Sequence, residues 1–394
     1  MTLTPGRVSL LVAINTALAP FAIDAYLPAM GVLAASIGAS IHHTELSISV
    51  FMAGFAIGQL LFGPVSDRLG RKPVLLSGLV VFLLASLMLA TVGTLTELLA
   101  WRFVQALGGG ACVVNSAAIV RDCFSGKQAA SVISTMAMIM MLAPLVAPLF
   151  GSALLYLSGW RVIFVFLAGY AAFLLWLMST QLPETRDPNQ PVASFPQVLR
   201  NYVSVVRHRE GLGYIFAVSA SFGGLFAFVT ASPFVYMEHF GLSPAVYPFV
   251  LGANVIFIAL SNRLNIHLLK SRTPLQNLYL GLAIQLVAAG SLVTTVLTGM
   301  ASLPMVVALV MLYSGMIGLI SPNAMALLLD HFGHMSATAT ALMGAAKFGS
   351  AALAGVMVGA FEIESLWPMV LTMLVASLFG NVMLSRLAGR PVHA

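Results

Sequence analysis

The sequence GPVSDRLGRK, at residues 63–72, is a short basic interruption between two long apolar runs, 46–66 and 74–93. Each run is about 20 residues long, the length that a helix needs to cross roughly 30 Å of hydrocarbon. A basic turn between two such runs is typical of a polytopic membrane protein, because lysine and arginine collect in cytoplasmic connections. The pattern predicts a cytoplasmic loop at residues 63–72 between two transmembrane helices.

The composition of the whole chain indicates the same class of protein. Of its 394 residues, 60% are apolar and 8% are charged, whereas a soluble globular domain is about 25% charged. We therefore predict an all-α membrane protein with twelve transmembrane helices in two six-helix bundles. The predicted spans are 8–29, 46–66, 74–93, 96–120, 128–154, 160–182, 211–236, 245–262, 275–297, 302–328, 336–359 and 366–387.

Lysine and arginine are distributed unevenly between the two predicted sides of the membrane. Fifteen of them lie in segments on the side that carries both termini, and one, Arg161, lies on the other side. The remaining two, Arg102 and Lys347, lie within spans. Because basic connections stay in the cytoplasm, we predict cytoplasmic termini. The net charge of +6 follows from this asymmetry and does not indicate a nucleic-acid partner.

One polar segment divides the predicted spans into two halves. We predict an N-terminal bundle at residues 1–183, a cytoplasmic linker at 184–210 and a C-terminal bundle at 211–394. The sequence SDRL at 66–69 recurs as SNRL at 261–264, each after the second span of its half. An internal repeat of this kind is typical of secondary transporters, whose substrate site lies between the halves near mid-membrane.

One carboxylate lies well inside a predicted span. Asp24, within FAIDAYLP at 21–28, is the one acidic residue that the predicted boundaries place there. An ionised aspartate in hydrocarbon costs several kcal/mol, so such a residue usually faces a polar cavity and has a function. Removal from water favours the neutral acid, which makes Asp24 a candidate proton carrier.

Arg102 is predicted to act together with Asp24. The two residues lie at similar depth in the fourth and first spans, so their side chains could pair. A nearby arginine favours the ionised carboxylate while burial favours the neutral one, and the balance can change with conformation. A purely structural ion pair is the alternative.

The turn at 63–72 resembles the signature between the second and third helices of the major facilitator superfamily. The matching residues are Gly63, Asp67, Arg68, Gly70, Arg71 and Lys72. In that family the aspartate is thought to dock near the N-terminus of helix 11, where the helix dipole favours an anion. The resemblance implies a gating charge relay of Asp67, Arg71 and Asp122, the last at the end of the fourth span. A plain basic turn is the alternative.

Two further stretches resemble motifs of the same superfamily. RFVQALGG at 102–109 is similar to the proton-coupling motif of helix 4. MLAPLVAPLFG at 141–151 occupies the place of the antiporter motif of helix 5, although most of the usual glycines are replaced. Pro144 and Pro148 are expected to distort this helix and to contribute to gating, with a simple packing kink as the alternative.

The chain as a whole resembles the bicyclomycin- and chloramphenicol-resistance branch of drug–proton antiporters. The stretches that carry this resemblance are DAYLP at 24–28, ASPFVY at 231–236, SPNAMA at 321–326 and HMSATATALMG at 334–344. The resemblance implies export of a small antimicrobial compound in exchange for protons, and a location in a bacterial inner membrane.

Polar residues within spans are the candidate substrate-binding residues: Asp24, Asn115, Tyr236, Asn254, Asn323 and Lys347. A lysine near the bilayer centre should face a cavity, where it could select anionic or acceptor-rich substrates. Alternatively, Lys347 binds a backbone carbonyl and holds the two halves in register. For each asparagine, a hydrogen bond between helices is the alternative.

The histidine pairs His42–His43 and His331–His334 lack the surrounding ligands of a metal site and are predicted to be solvated loop residues. No Walker motif, nucleotide loop or nucleophile triad occurs in the sequence. We therefore predict a secondary active transporter, not an enzyme, without a cofactor or bound metal.

The predicted function is efflux of several drugs by alternating access. The expected substrates are small apolar or weakly polar antimicrobials, similar to bicyclomycin, chloramphenicol or sulfonamides, exchanged for protons. The expected partners are the drug, protons and the lipid bilayer, and the protein is expected to be a monomer. Proton-coupled uptake of a nutrient or nucleoside on the same fold is the alternative.

Overall fold

The computed structural model describes residues 5–124, 126–186, 195–332, 335–360 and 365–388, and within these ranges the regular structure is helical, without strands. Eleven helices of this part are long and apolar enough to cross a membrane. A twelfth apolar segment, Leu142–Ser158, belongs to the longer helix Gly126–Ser158. The all-α transmembrane fold predicted from the sequence is confirmed.

The chain forms two compact units, Met1–Phe195 and Pro196–Ala394. The helices of the first unit are α1 (Pro5–Asp24), α2 (Met30–Ser36), α3 (Ile41–Leu69), α4 (Arg71–Leu89), α5 (Leu95–Cys123), α6 (Gly126–Ser158) and α7 (Arg161–Gln181). The helices of the second are α8 (Phe195–Arg207, which starts at the boundary), α9 (Arg209–Pro233), α10 (Tyr247–Leu268), α11 (Pro274–Leu297), α12 (Leu303–Gly315), α13 (Ile317–Phe332), α14 (Ser336–Gly359) and α15 (Trp367–Leu387).

The first membrane segment is longer than predicted and contains a break. α1 ends at Asp24, a 3₁₀ turn follows at Leu27–Ala29, and α2 continues to Ser36. Pro28 lies in the turn, where its missing N–H and its ring interrupt a continuous α-helical ladder. The break therefore places the buried carboxylate at a helix end, which the predicted boundaries of 8–29 did not anticipate.

The connection between α3 and α4 is much tighter than the predicted loop at 63–72. α3 continues to Leu69 and α4 begins at Arg71, so Gly70 alone joins them. Gly70 has a φ of 101°, a backbone conformation that residues with a side chain rarely adopt. The prediction of a loop was wrong, because most of this polar sequence forms the last two turns of α3 and the start of α4.

The second membrane segment also begins earlier than predicted. Ser40 caps α3, its Oγ accepting a hydrogen bond from the His43 backbone N–H (3.2 Å). His42 is buried in the first turn, so the prediction that it is a solvated loop residue was wrong. In the second unit, His331 lies on α13 and is exposed, while His334 lies outside the described residues.

Glycines allow α5 to pack closely on α3 and α4. A Cβ atom at Gly54 of α3 would lie 2.7 Å from the carbonyl oxygen of Phe103, and one at Gly78 of α4 would lie 2.9 Å from that of Gly108. Small residues at such contacts are typical of transmembrane helix pairs, because they let the backbones approach. This packing fixes the position of α5, which carries Arg102.

We expect Gly54→Ala to destabilise the protein, because the added methyl group must push α5 away from α3. The unfolding temperature of the purified protein in detergent should fall by several degrees. Gly169→Ala is the matched control, since Gly169 is exposed on α7 and a Cβ there would have no neighbour within 4 Å. Equal unfolding temperatures for the two variants would contradict the close packing.

Candidate functional site

Asp24 is the last residue of α1 and is 7% exposed. Within the part of the chain that the structure describes, its carboxylate makes no hydrogen bond and no salt bridge. The negative end of the α1 dipole lies at the same place and disfavours a second negative charge. The surroundings of Asp24 therefore favour a neutral side chain.

The α1 break is held closely against α6. A Cβ atom at Gly151 of α6 would overlap the carbonyl oxygen of Ala25, so no residue with a side chain fits at this contact. α6 also packs against the 3₁₀ turn that follows. Pro144 and Pro148 lie earlier in α6, which continues as one helix through both of them.

Arg102 is completely buried beside this break. Its guanidinium lies between two aromatic rings, 4.4 Å from the ring centre of Tyr26 and 4.3 Å from that of Phe51. Nη1 donates hydrogen bonds to the Ala22 carbonyl oxygen (3.0 Å) and to Gln105 Oε1 (2.7 Å). Nε and Nη2 are buried and have no hydrogen-bond partner among the described atoms.

The predicted pairing of Asp24 with Arg102 is not present in this structure. No salt bridge joins the two side chains in the described residues, and the guanidinium binds instead to Ala22, two positions before Asp24 on α1. The ring faces of Tyr26 and Phe51 attract the Arg102 cation, in place of a carboxylate. Arg102 is thus joined to the end of α1 by a hydrogen bond to the Ala22 backbone carbonyl, not by a side-chain ion pair.

A chain of polar side chains extends from Arg102 across the first unit. Gln105 Nε2 donates to Ser86 Oγ at 2.8 Å, which connects α5 to α4. The Tyr26 hydroxyl and Ser47 Oγ lie 2.9 Å apart, which connects the α1 break to α3. Hydrogen bonds to α4 and α3 therefore fix the positions of Gln105 and Tyr26, two of the side chains that contact Arg102.

Asn115, a candidate substrate ligand, lies further along α5. Its Nδ2 donates to the carbonyl oxygen of Ala111 in the same helix (2.8 Å), and its Oδ1 is buried without a described partner. Asn15 of α1, which the sequence analysis did not single out, donates to the Cys112 carbonyl (3.0 Å) and to Ser116 Oγ (2.7 Å). Asn15 Oδ1 is likewise buried without a described partner.

A second buried carboxylate was missed by the sequence analysis. Glu45 is fully buried on α3, and its Oε2 lies 3.7 Å from His42 Nδ1. The prediction that Asp24 is the one acidic residue well inside a span was therefore wrong, because Glu45 is also buried within a membrane-spanning helix. The i, i+3 spacing of His42 and Glu45 after the helix-capping Ser40 was a signal that could have located this pair.

Two of the second-unit candidates are engaged in hydrogen bonds between helices. Asn254 Oδ1 accepts a bond from Ser314 Oγ (2.9 Å), and Asn323 Nδ2 donates to Asn265 Oδ1 (2.7 Å). Asn277 Nδ2 donates to the same oxygen (3.0 Å). These contacts correspond to the alternative reading, in which an asparagine joins neighbouring helices.

The other two candidates of the second unit have polar atoms that remain available. Tyr236 lies in a π-helical turn, Phe234–His239, and its buried hydroxyl has no partner among the described atoms. Lys347 Nζ lies 4.6 Å from the centre of the Phe222 ring. In the described part of the chain, the ammonium makes no salt bridge, so the aromatic face is the contact seen.

The three charges of the predicted relay are brought together at the α3–α4 turn. Arg71 Nε donates to Asp122 Oδ2 at 2.9 Å, and Nη1 binds both Asp67 and Ser66 Oγ. Arg71 therefore connects the end of α3 to the end of α5. The predicted docking of Asp67 at helix 11 stays a prediction, since it concerns both units.

A further acidic residue holds the same turn, and sequence analysis assigned it to the linker. Glu184 Oε1 and Oε2 accept hydrogen bonds from the backbone N–H groups of Arg71 (2.9 Å) and Lys72 (3.2 Å). A carboxylate there caps the N-terminus of α4 and complements its dipole. Arg186 Nη1 donates to the Arg68 carbonyl (3.0 Å), and Lys72 Nζ donates to that of Ser179 (2.8 Å).

The sequence pattern of the Major Facilitator Superfamily matches residues 12–355. This match covers most of the chain. The chain belongs to the Major Facilitator Superfamily. It is accordingly a transporter rather than an enzyme, and a multi-pass integral membrane protein.

Relatives within the superfamily include two proteins named for antibiotic resistance. The chain is 34% identical to a bicyclomycin resistance protein homolog of Haemophilus influenzae over 92% of each chain. It is 34% identical to a chloramphenicol resistance protein of Pseudomonas aeruginosa over 57% of this chain and 53% of that one. Among solved structures, a bacterial homolog of the lysosomal transporter Spinster, inward-facing and occupied, covers 98% of each chain with a TM-score of 0.72 and 15% identity, which shows a shared fold.

We expect Glu184→Gln to slow transport, because it removes the charge that caps α4 and weakens the hydrogen bonds that hold the α3–α4 turn. The turnover rate should fall several-fold while the affinity for substrate changes little. Glu97→Gln is the matched control, since Glu97 Oε2 likewise accepts a backbone N–H, that of Gly93, at the start of α5. Transport by purified protein in vesicles measures both quantities, and equal rates in the two variants would exclude a special role for Glu184.

Proposed function

We propose that this transporter exports small apolar or weakly polar antimicrobial compounds in exchange for protons. The resistance proteins to which the chain is similar support the substrate class. The observation that carries proton coupling is the buried Asp24 carboxylate at the α1 break, without a hydrogen-bond or salt-bridge partner among the described residues. It lies two positions after Ala22, whose carbonyl oxygen binds the buried Arg102.

Asp24 binds and releases the proton in this proposal. A carboxyl group removed from water and from cations takes up a proton readily, and it loses that proton when water or a cation reaches it. Arg102 supplies such a cation, because Nε and Nη2 have no described partner and the group already binds α1 at Ala22. A small relative movement of α1 and α5 could exchange the carbonyl contact for the carboxylate.

The energy available from one proton is sufficient for drug export. One elementary charge moving across about 150 mV releases roughly 3.5 kcal/mol. This free energy corresponds to a substrate gradient of about 300-fold, before any pH difference is counted. A single exchanged proton per drug molecule would therefore support resistance.

Tyr236 and Lys347 are the proposed substrate contacts in the second unit, and Asn115 in the first. Each has a polar atom without a hydrogen-bond or salt-bridge partner in the described residues, and each lies in a membrane segment. Asn254 and Asn323 are better explained by their bonds to other helices. We further propose a monomer in the bacterial inner membrane. The positive-inside distribution supports a cytoplasmic position for both termini.

Proton-coupled uptake is the competing function on the same fold. Inverted membrane vesicles with an acidified interior separate the two directions of coupling. On addition of an exported drug, an antiporter carries protons out and makes the interior more alkaline, whereas a symporter makes it more acidic. Bicyclomycin, chloramphenicol, a sulfonamide and an organic cation should be tested side by side.

We expect Asp24→Asn to abolish proton-driven export, because the amide cannot bind or release a proton. Drug-induced alkalinisation of the vesicles should fall below detection, while drug binding stays within a few-fold of that of the unmodified protein. Asp330→Asn is the matched control, since Asp330 is exposed near the end of α13. Full alkalinisation with Asp24→Asn would show that another group carries the proton.

We expect Arg102→Lys to lower the transport rate by at least about tenfold, because an ammonium keeps the charge but loses the planar stacking on Tyr26 and Phe51 and the forked donors. Arg161→Lys is the control, since Arg161 also stacks on an aromatic ring, that of Trp160 at 4.3 Å, but is exposed at the start of α7. Drug-induced alkalinisation in vesicles of equal protein content measures the effect. An unimpaired Arg102→Lys variant would remove the guanidinium from the mechanism.

A further inference from the structure

A basic cavity of about 570 Å³ lies in the second unit, away from the residues discussed so far. It is formed where α8 ends, α9 begins and α15 ends, and its lining residues are Arg207, His208, Arg209, Glu210, Arg386, Leu387 and Ala388. All three arginines are exposed. The cavity is therefore open to solvent or to the membrane surface.

The arginines of this cavity are held in place but are not neutralised. Arg209 Nη2 donates to the carbonyl oxygen of Arg386 at 2.8 Å, which fixes the side chain across the end of α15. In the described residues, none of the three guanidinium groups forms a salt bridge with a carboxylate. The one acidic residue of the lining, Glu210, has Oε2 3.1 Å from His331 Nε2 and so is turned towards that histidine.

α8, which leads into the cavity, presents an apolar stripe outwards. Leu199, Val203 and Val206 follow one another at i, i+4 and i+7 and are 54%, 39% and 45% exposed. On another side of the same helix, Val205 is fully buried in the core of the second unit. An exposed apolar stripe on a helix that flanks a membrane segment is typical of a helix lying in the bilayer interface.

Charge and apolar surface meet at one place on this helix. Arg200 and Arg207 lie next to the apolar stripe, and Arg207 also lines the cavity. A planar guanidinium binds phosphate oxygens in pairs, and basic pockets between transmembrane helices bind acidic lipid head groups. A phospholipid with a net negative charge would offer both a phosphate for the arginines and acyl chains for the stripe.

We propose that the cavity formed by α8, α9 and α15 binds the head group of an anionic phospholipid, whose acyl chains lie along Leu199, Val203 and Val206. Charge complementarity favours an anionic over a zwitterionic lipid, since the lining carries three arginines against one acidic residue that faces a histidine. The apolar stripe favours a lipid over free phosphate, because phosphate has no apolar group that could contact the stripe. This site is independent of the proton and drug sites.

The test uses the full-length protein in an uncharged detergent, with bound lipids counted by native mass spectrometry. Phosphatidylglycerol and phosphatidylcholine are titrated separately. The double variant Arg207→Gln/Arg386→Gln removes two charges from the cavity, while Lys270→Gln/Arg272→Gln removes two exposed charges from the α10–α11 turn at the same end of the unit. Unfolding temperatures establish that each variant is folded.

We expect one phosphatidylglycerol to bind tightly to the unmodified protein and to the control, and about 30-fold more weakly to Arg207→Gln/Arg386→Gln. Leu199→Ser/Val203→Ser should weaken the same binding several-fold. Equal affinity for phosphatidylcholine in the unmodified protein would overturn the proposal without any variant. So would equal phosphatidylglycerol binding by the two charge variants, or its displacement by millimolar inorganic phosphate, which would indicate an anion site only.

Discussion

The hydrogen bond from Arg102 to the Ala22 carbonyl is the interaction on which the first unit depends. A charged guanidinium away from water must be compensated, or the helices that enclose it would separate. The break in the first membrane segment makes this possible, because a helix that ends at Asp24 leaves its last carbonyl groups without intrahelical donors. Tyr26 and Phe51 complete the surroundings with two aromatic faces. The same break thus accommodates the buried cation and positions the carboxylate.

A second ionic cluster, at the opposite end of α3, follows the same physical rule. Glu184 satisfies the free N–H groups at the start of α4, as the Arg102 side chain satisfies a free carbonyl at the end of α1. Both clusters use a side chain of opposite charge at a helix terminus. A glycine is required at position 70, between α3 and α4, since its φ is positive and a Cβ atom there would overlap the Glu184 carboxylate. Helix ends, rather than helix faces, therefore carry most of the charge in this unit.

The sequence predicted the helical fold well, because apolar length is a local signal. It failed where long helices continue beyond the apolar run. α3 extends over His42 and Glu45 at one end and over Asp67 at the other, and polar residues there resemble a loop in composition. Glu184 could not be assigned, since its partners Arg71 and Lys72 are more than a hundred positions away in the chain. Contacts of this kind depend on tertiary packing alone.

The absence of an Asp24–Arg102 ion pair in the described residues has a simple electrostatic meaning. If Asp24 were ionised here, its buried negative charge would have no hydrogen bond and no ion-pair partner among the described residues, which is costly in a medium of low dielectric constant. The observed contact of Arg102 with a neutral carbonyl instead fits a neutral carboxyl group. In the proposed mechanism, loss of the Asp24 proton changes the preferred partner of Arg102 from the Ala22 backbone to the Asp24 side chain. Because the two partners lie on the same helix end, the proposed mechanism would convert the loss of a proton at Asp24 into a displacement of α5 relative to α1.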